Sequence, residues 1–219
     1  MCRKLVLLSL VLSLGLVSTS YASGLLIGNW ENQLDGWAAG WDDAPVLDYS
    51  STGATRDSSS LQVRYNNASG WGWVLKNEGM FSKLALLSQP GAKILADVTW
   101  VASEWTGTNI WVQMQLMAIN SAAGWSQMGP TDTANPAYPG SWDPYNWGAV
   151  HTRTLAWNIS GYNWAGATNW VQLIFSKNDG GDAGYTTGGF YIDNVRIIPE
   201  PATMALLGLG GLALIRRKK

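Results

Sequence analysis

Aromatic and amide side chains on one predicted strand are the groups in this sequence best suited to bind a ligand. The segment NIWVQMQLMAI (109–119) alternates in character, which places Trp111, Gln113 and Gln115 on one face of a strand. A flat aromatic ring packs against the apolar C–H side of a sugar ring, while amides hydrogen-bond the sugar hydroxyls. This strand face is therefore a candidate carbohydrate site.

The loop 124–148 supplies a second candidate surface. Such a long loop in a compact domain is usually functional or disordered, and its aromatic content argues against disorder. Aromatic residues at alternating strand positions usually belong to a core, so Trp73 and Trp100 are predicted to be buried. The loop could likewise fold as a small core over one end of the domain. Its aromatic candidates for ligand binding are Tyr138, Trp142, Tyr145 and Trp147.

Groups suited to catalysis are scarce. His151 is the only histidine, so a catalytic triad would depend on it, and no Gly-x-Ser-x-Gly segment is present. The sequence also contains no phosphate-binding loop, dinucleotide fingerprint or zinc-ligand spacing. With 15 acidic residues some pair of carboxylates is inevitable, so acids alone do not indicate a glycosidase. The sequence therefore predicts a protein that is not an enzyme.

Charge and cysteine content exclude other classes. The chain has 14 Lys and Arg against 15 Asp and Glu, and its body shows no basic patch or stripe. Nucleic acid is therefore not a predicted partner. The only cysteine, Cys2, lies in an N-terminal segment that is predicted to be removed. The remaining domain must then be stable through burial alone, without a disulfide.

The N-terminal segment has the layout of a secretory signal peptide. MCRKLVLLSLVLSLGLVSTSYAS begins with the basic residues Arg3 and Lys4, continues with an apolar core over 5–17, and ends in small residues at Ser20 and Ala22. Signal peptidase is predicted to cleave after Ala22. The pattern therefore predicts export of the remaining chain.

Short strands separated by turn residues dominate the centre of the chain. The segment 92–101 alternates apolar and polar residues as 109–119 does. One or two helical turns are expected within 80–87. About eight short strands without intervening helices predict an all-β fold, an antiparallel β-sandwich. The other predicted strands are 45–50, 60–65, 71–75, 149–157, 168–176 and 189–198.

The C-terminal segment resembles the PEP-CTERM sorting signal, with a Pro-Glu-Pro triplet, an apolar stretch and a basic cluster. The resemblance implies export, recognition by an exosortase-type membrane protease, and delivery to the cell surface or an exopolysaccharide matrix. The apolar stretch of 14 residues is shorter than the roughly 20 of a typical membrane helix, so a single short transmembrane helix would anchor the protein transiently. The basic cluster predicts that the C-terminus stays cytoplasmic. The sorting-motif residues are Pro199, Glu200, Pro201, Arg216 and Arg217.

The body of the chain resembles the jelly-roll carbohydrate-binding modules and related galactose-binding-like sandwiches. NWENQLDGW (29–37) resembles their opening segment, and GFYIDNVRII (189–198) resembles their closing strand. The resemblance implies a jelly-roll topology. It also implies a structural calcium ion, Ca²⁺, bound by Glu31 and Asp193, since calcium prefers carboxylate and carbonyl oxygens.

Together these patterns predict an exported, non-catalytic β-sandwich protein of the cell surface or extracellular matrix that binds polysaccharide. One alternative is a structural matrix protein without a specific ligand, whose tryptophans would be mostly buried. Another is a glycoside hydrolase or polysaccharide lyase, which needs a carboxylate pair in a cleft or His151 beside a tyrosine and an arginine. The predicted division of the chain is a signal peptide at 1–22, a β-sandwich at 23–198 and a sorting segment at 199–219.

Overall fold

The computed structural model describes most of the chain between residues 24 and 199. The predicted signal peptide, and the sorting segment beyond Pro199, lie outside the described residues. Within the described ranges, no helix is long and apolar enough to cross a membrane. These ranges are 24–31, 33–40, 45–65, 71–76, 78–104, 112–124, 126–128, 141–142, 150–179 and 188–199.

Six strands form the first antiparallel sheet, which we call sheet A. They are β1 (Leu25–Gly28), β3 (Val46–Ser50), β4 (Ser60–Tyr65), β6 (Lys93–Val101), β10 (Val150–Asn158) and β12 (Gly188–Ile198). The strand order is β10–β6–β12–β4–β3, and β1 pairs with the second half of β12.

Six further strands form the second antiparallel sheet, sheet B. They are β2 (Trp37–Ala39), β5 (Trp71–Lys76), β7 (Val112–Asn120), β8 (Ser126–Met128), β9 (Ser141–Trp142) and β11 (Val171–Asp179). The strand order is β2–β5–β11–β7–β8, and β9 also pairs with β7. A 3-10 turn (Phe81–Lys83) and a short helix, α1 (Leu84–Leu87), lie between β5 and β6, and a second 3-10 turn (Ala102–Glu104) follows β6.

The predicted antiparallel β-sandwich is confirmed. Each predicted strand corresponds to a strand in the structure, and the helical turns expected within 80–87 are present. The strand predicted at 168–176 begins three residues later and extends to Asp179. The sequence did not predict β1, β2, β8 or β9. Each of these has at most four residues, too few to establish a period of two.

One apolar core fills the space between the sheets. Trp37 stacks on Phe175 with ring centroids 5.2 Å apart, and Trp157 packs against the same ring at 5.2 Å with its plane tilted. Trp100, which the sequence predicts to be buried, is 3 % exposed. Burying each large side chain contributes about 1.5–3 kcal/mol, so these aromatic contacts hold the two sheets together without a disulfide.

A bulge in β12 changes which of its residues face the core. The pairing of β12 with β6 shifts register between Asp193 and Arg196, and Asn194 between them has a left-handed φ of 51°. The extra residue moves the core-facing positions from even to odd numbers. The core-facing residues of β12 are Phe190 and Ile192 before the bulge, and Val195 and Ile197 after it.

The loop from Ser51 to Ser59 folds over the outer face of sheet A, the face turned away from the core. Gly53, with a φ of 75°, lies so close to this face that an added Cβ would be 2.6 Å from Tyr191 Cβ and 3.0 Å from Thr99 Cβ. Only glycine tolerates both this conformation and this approach. The loop backbone therefore packs directly on the strands and covers polar side chains there.

Candidate functional site

The outer face of sheet B is polar where β7 and β11 pair. Leu116 and Phe175 belong to the core, so their strand neighbours Gln115 and Ser176 face away from it. Gln115 and Ser176 lie directly opposite each other in the ladder. The described side chains on the outer face of sheet B include Gln115, Met117, Gln172, Ile174 and Ser176.

Two polar atoms on this face are buried without a hydrogen-bond partner. Gln115 is 9 % exposed and Ser176 is fully buried. Among the described residues, nothing hydrogen-bonds Gln115 Oε1 or Ser176 Oγ. An unpaired buried polar group costs about 1–3 kcal/mol, and nearly all such groups in native proteins are paired. A water molecule or a ligand hydroxyl would supply the missing partner.

The sequence predicts that Gln115 lies on the strand face opposite the core, and in the structure it does, but that face is shielded from solvent. Met117 and Ile174 form a small apolar cluster of their own beside it, separate from the main core. The face therefore combines apolar and polar surface.

The strand register brings several predicted ligand residues near one another. Gln113 pairs with Asn178 of β11 and with Ser141 of β9, and Trp142 of β9 pairs with Val112. On the other side of β11, Trp73 of β5 lies opposite Ser176. The remaining predicted ligand residues lie outside the described part of the chain: Trp111, Tyr138, Tyr145 and Trp147.

Asp193, at the bulge in β12, holds the loop that covers sheet A. Its Oδ2 accepts hydrogen bonds from the backbone N–H groups of Thr55 and Arg56, both at 2.7 Å, and lies 3.1 Å from Thr55 Oγ1. Its Oδ1 accepts one from the N–H of Asn194 at 2.6 Å. Burial raises the pKa of Asp193, and these hydrogen bonds oppose the rise.

A second buried carboxylate, Asp97, lies opposite Asp193 in the ladder between β6 and β12. Thr55 Oγ1 donates to Asp97 Oδ2 at 2.6 Å, and Asn194 Nδ2 donates to the same oxygen at 3.0 Å. Thr154 Oγ1 donates to Asp97 Oδ1 at 2.6 Å. Asp193 is thus paired with donors from the loop and the bulge. Asp97 is paired with donors from the loop, the bulge and β10.

Glu31 binds the same loop a few residues further on. Its Oε1 accepts hydrogen bonds from the N–H groups of Ser58 at 2.9 Å and Ser59 at 2.6 Å, and its Oε2 accepts one from Ser58 Oγ at 2.5 Å. The Ser58 hydroxyl contributes most to lowering the pKa of Glu31. Asp193 and Glu31 therefore meet at one loop from opposite ends of the chain.

The calcium prediction requires oxygen atoms that converge on a cation. Glu31 and Asp193 both hydrogen-bond the loop from Ser51 to Ser59, so their oxygens face N–H and hydroxyl donors with which a cation would have to compete. No group of three or more His, Cys, Asp or Glu side chains that could hold a metal occurs within the described ranges. Calcium stays a prediction.

His151 lies in the strand ladder of sheet A. It pairs with Trp100 and is partly buried. Burial lowers the pKa of His151, and the nearby charge of Arg153 lowers it further. The side chain therefore favours the neutral form, as for a histidine at the margin of a core.

Thr55, Asp97 and Ser176 are the important residues that sequence reasoning did not identify. Thr55 lies in a polar loop, and Asp97 and Ser176 occupy ordinary polar positions of alternating strands. An acid on a predicted strand was a weak signal for Asp97. Nothing local distinguishes Ser176 from other serines, because only the strand pairing reveals its surroundings.

The C-terminal end of the chain matches a known sorting motif. Residues 198–219 match the PEP-CTERM protein-sorting motif, which confirms the resemblance seen in the sequence. The motif implies export to the cell surface. No curated protein is similar in sequence to the chain.

The described sandwich is similar in fold to solved carbohydrate-binding modules. One is a non-crystalline cellulose specific module, CBM28, with a TM-score of 0.51, 11% identity, and coverage of 80% of this chain and 93% of that one. Another is the N-terminal CBM22-1-CBM22-2 tandem domain of Paenibacillus barcinonensis Xyn10C, with a TM-score of 0.51, 12% identity, and coverage of 78% and 49%. At these identities the similarity shows the fold alone. This chain thus combines a PEP-CTERM sorting motif with a β-sandwich similar in fold to carbohydrate-binding modules.

Proposed function

We propose that this protein binds a polysaccharide at the cell surface or in the extracellular matrix through the outer face of sheet B, without catalysing a reaction. The observation that carries the proposal is the pair of buried polar atoms, Gln115 Oε1 and Ser176 Oγ, that have no partner among the described residues. Hydrogen bonds from a ligand would remove the cost of leaving them unpaired.

A sugar chain has the chemistry that this face needs. Each sugar ring carries hydroxyls that both donate and accept hydrogen bonds, and C–H groups that pack on apolar or aromatic surface. The amide of Gln115 and the hydroxyl of Ser176 match the hydroxyls, while Met117 and Ile174 match the C–H groups. Gln115 is 9 % exposed, so a ligand must gain access to this face before it can bind there.

The sorting motif supports the proposed location of this binding protein at the cell surface or in the matrix. A PEP-CTERM segment has an exosortase-type membrane protease as its expected partner. The segment would hold the protein in the inner membrane transiently before its cleavage releases the body to the surface or matrix. A polysaccharide ligand would then retain the released domain there.

Two observations support binding without catalysis. The solved structures of similar fold are named as carbohydrate-binding modules, and the first is named for non-crystalline cellulose. The buried carboxylates Asp97 and Asp193 are occupied by hydrogen bonds to the loop from Ser51 to Ser59, so they serve the fold. A binding module needs no acid–base pair.

Affinity electrophoresis of the purified full chain through gels with neutral and acidic polysaccharides tests the proposal. We expect at least one polysaccharide to retard the chain and Gln115→Met to weaken that binding about tenfold, since one buried hydrogen bond contributes about 1 kcal/mol or more. Methionine preserves the length of the side chain but not its amide.

Gln62→Met is the matched control, because Gln62 lies on the outer face of sheet A and donates to Tyr191 Oη. It should leave retardation unchanged. If no polysaccharide retards the wild-type chain, the protein is a structural matrix component. If Gln115→Met and Gln62→Met behave alike, the outer face of sheet B is not the binding site.

A further inference from the structure

A cavity of about 620 Å³ lies between β1, the loop from β1 to β2, and the turn that follows β5. Its volume is within the range of about 300–1,000 Å³ that is typical of small-ligand sites. Lys76 lies two residues after the core-facing Val74, so the cavity is on the side of sheet B opposite Gln115. We call it the Lys76 cavity; its lining includes Leu26, Leu34, Asp35, Lys76, Glu78 and Met80.

The ammonium group of Lys76 is the distinctive group in this lining. Lys76 is only 8 % exposed. Its Nζ donates to the backbone carbonyl of Asp35 and lies 5.8 Å from the centre of the Trp37 ring. An ammonium group has three N–H donors, and Asp35 accepts only one of them. Among the described residues, no acceptor is found for the other two donors of this buried cation.

Within the described ranges, the carboxylates that act on this cation are those of Asp35 and Glu78, which line the same cavity. Among the described residues, no acid lies within ion-pair distance of Lys76. The carboxylate of Asp35 instead accepts hydrogen bonds from the N–H groups of Asn29 at 2.9 Å and Trp30 at 3.1 Å. Burial lowers the pKa of Lys76, while the more distant charges of Asp35 and Glu78 raise it. A buried charge is costly unless it is paired.

We propose that the Lys76 cavity binds a carboxylate-bearing sugar residue, a uronate, with its carboxylate on Lys76 Nζ. Lys83 lines the same cavity, so two lysines offset the negative charges of Asp35 and Glu78 there. Leu26 and Leu34 offer apolar surface to the C–H side of the sugar ring. This site is separate from the outer face of sheet B, and its occupancy does not require the binding proposed there.

Isothermal titration calorimetry of the purified full chain with digalacturonate, a neutral galactose disaccharide and inorganic sulfate tests this site. We expect digalacturonate to bind, the neutral disaccharide to bind at least tenfold more weakly, and Lys76→Met to lose at least tenfold in affinity for digalacturonate, as for other charge-assisted hydrogen bonds. Lys93→Met, which removes the same charge from an exposed position, should have no effect.

Several results would overturn the proposal. They are equal affinity of wild type and Lys76→Met, equal affinity for the neutral disaccharide, or sulfate binding as tight as that of digalacturonate, which would mark an adventitious ion only. Gln115→Met should bind digalacturonate normally, so failure of this site and failure of the sheet B site are distinguishable.

A measurement on the wild-type chain keeps the test valid if Lys76→Met does not fold. Hydrogen–deuterium exchange read by mass spectrometry reports protection along the backbone. Digalacturonate should slow exchange in the segments around residues 26–36 and 76–83, which line the cavity, and leave exchange around Lys93 unchanged. Equal exchange in these segments with and without the disaccharide would refute the site.

Discussion

Two serines show how differently the outer faces of the two sheets are built. Ser60 in sheet A and Ser176 in sheet B are both fully buried. Ser60 Oγ lies 3.2 Å from the carbonyl oxygen of Ser50 and 2.5 Å from that of Thr52, whereas Ser176 Oγ has no partner among the described residues. Among the described residues, the outer face of sheet A thus satisfies its buried serine, and the outer face of sheet B does not.

The difference reflects what covers each face. Over sheet A the loop from Ser51 to Ser59 supplies donors to Asp97 and Asp193, so the polar groups there are satisfied within the fold. On sheet B the described residues leave Gln115 Oε1 without a partner. Among the described residues, the first face thus satisfies its buried polar groups internally, whereas the second leaves an amide oxygen without a partner, which is the basis of the ligand site proposed there.

Removing the acceptor at the centre of the sheet A face should have the largest effect. Asp193→Ala leaves the N–H groups of Thr55 and Arg56 without their acceptor, so we expect a loss of about 3 kcal/mol in the free energy of unfolding. Urea denaturation measures this loss. Asp48→Ala, which removes an exposed ion pair of 3.7 Å with Arg64, should change stability by less than about 0.5 kcal/mol. Equal losses in the two variants would contradict the role given to Asp193.

The two serines should respond to the same substitution with opposite signs. Ser60→Ala removes a satisfied hydroxyl and should lower the free energy of unfolding by about 1 kcal/mol, whereas Ser176→Ala removes an unpaired one and should raise it by about 1 kcal/mol. In thermal melts each change corresponds to about 2–4 °C. Destabilisation by Ser176→Ala would mean that its hydroxyl has a partner in the free protein.

Alkaline pH should weaken the sheet A face through Tyr191. Burial, followed by the 2.6 Å hydrogen bond to Glu104 Oε1, raises the pKa of Tyr191 from 10.0 to about 12. Between pH 10.0 and about pH 12, Tyr191 of the unfolded chain ionises while Tyr191 of the folded protein keeps its proton. The free energy of unfolding therefore falls as pH rises through this interval. Melting temperatures against pH should fall less steeply in Tyr191→Phe than in wild type. Tyr49→Phe, at an exposed position, is the control and should follow the wild-type curve. Parallel curves for Tyr191→Phe and wild type would show that Tyr191 does not cause the pH dependence.

Calcium should have an effect no larger than that of either serine substitution. If Ca²⁺ binds at Glu31 and Asp193, it competes with existing hydrogen bonds, so we expect chelator-treated protein to gain only about 2–4 °C in melting temperature on adding Ca²⁺. Glu31→Gln should abolish the gain, and Mg²⁺ should not reproduce it. An unchanged wild-type melting temperature on adding Ca²⁺ would contradict calcium binding at this loop.

The strands were predictable from the sequence because their signal is local. The segment predicted at 92–101 forms β6 (Lys93–Val101), since alternation of apolar and polar residues over nine positions leaves only one face fit for the core. The sorting segment was predictable for a similar reason, since its motif is contiguous. The two-residue β9 has no such signal, because its existence depends on a partner strand.

The candidate sites were only partly predictable. Gln113 and Gln115 were identified from their alternation in one strand, and the structure pairs them with Asn178 and Ser176. The burial of Gln115 could not be foreseen, because it depends on neighbours that are distant in sequence. The Lys76 cavity was also missed, since it combines segments around residues 26–36 and 76–83 that carry no common motif.

By itself the sequence determined the strand periodicity, the sorting motif and the lack of disulfides in the body of the chain, because each is carried by adjacent residues or by composition. Only the tertiary structure decided which outer face is satisfied and which is not. The hydrogen bond from the N–H of Thr55 to Asp193 spans 138 residues, so it exists only once the bulge in β12 and the loop from Ser51 to Ser59 meet. Hydrogen bonding requires atoms within about 3 Å, and sequence separation says nothing about that distance until the sheets have formed.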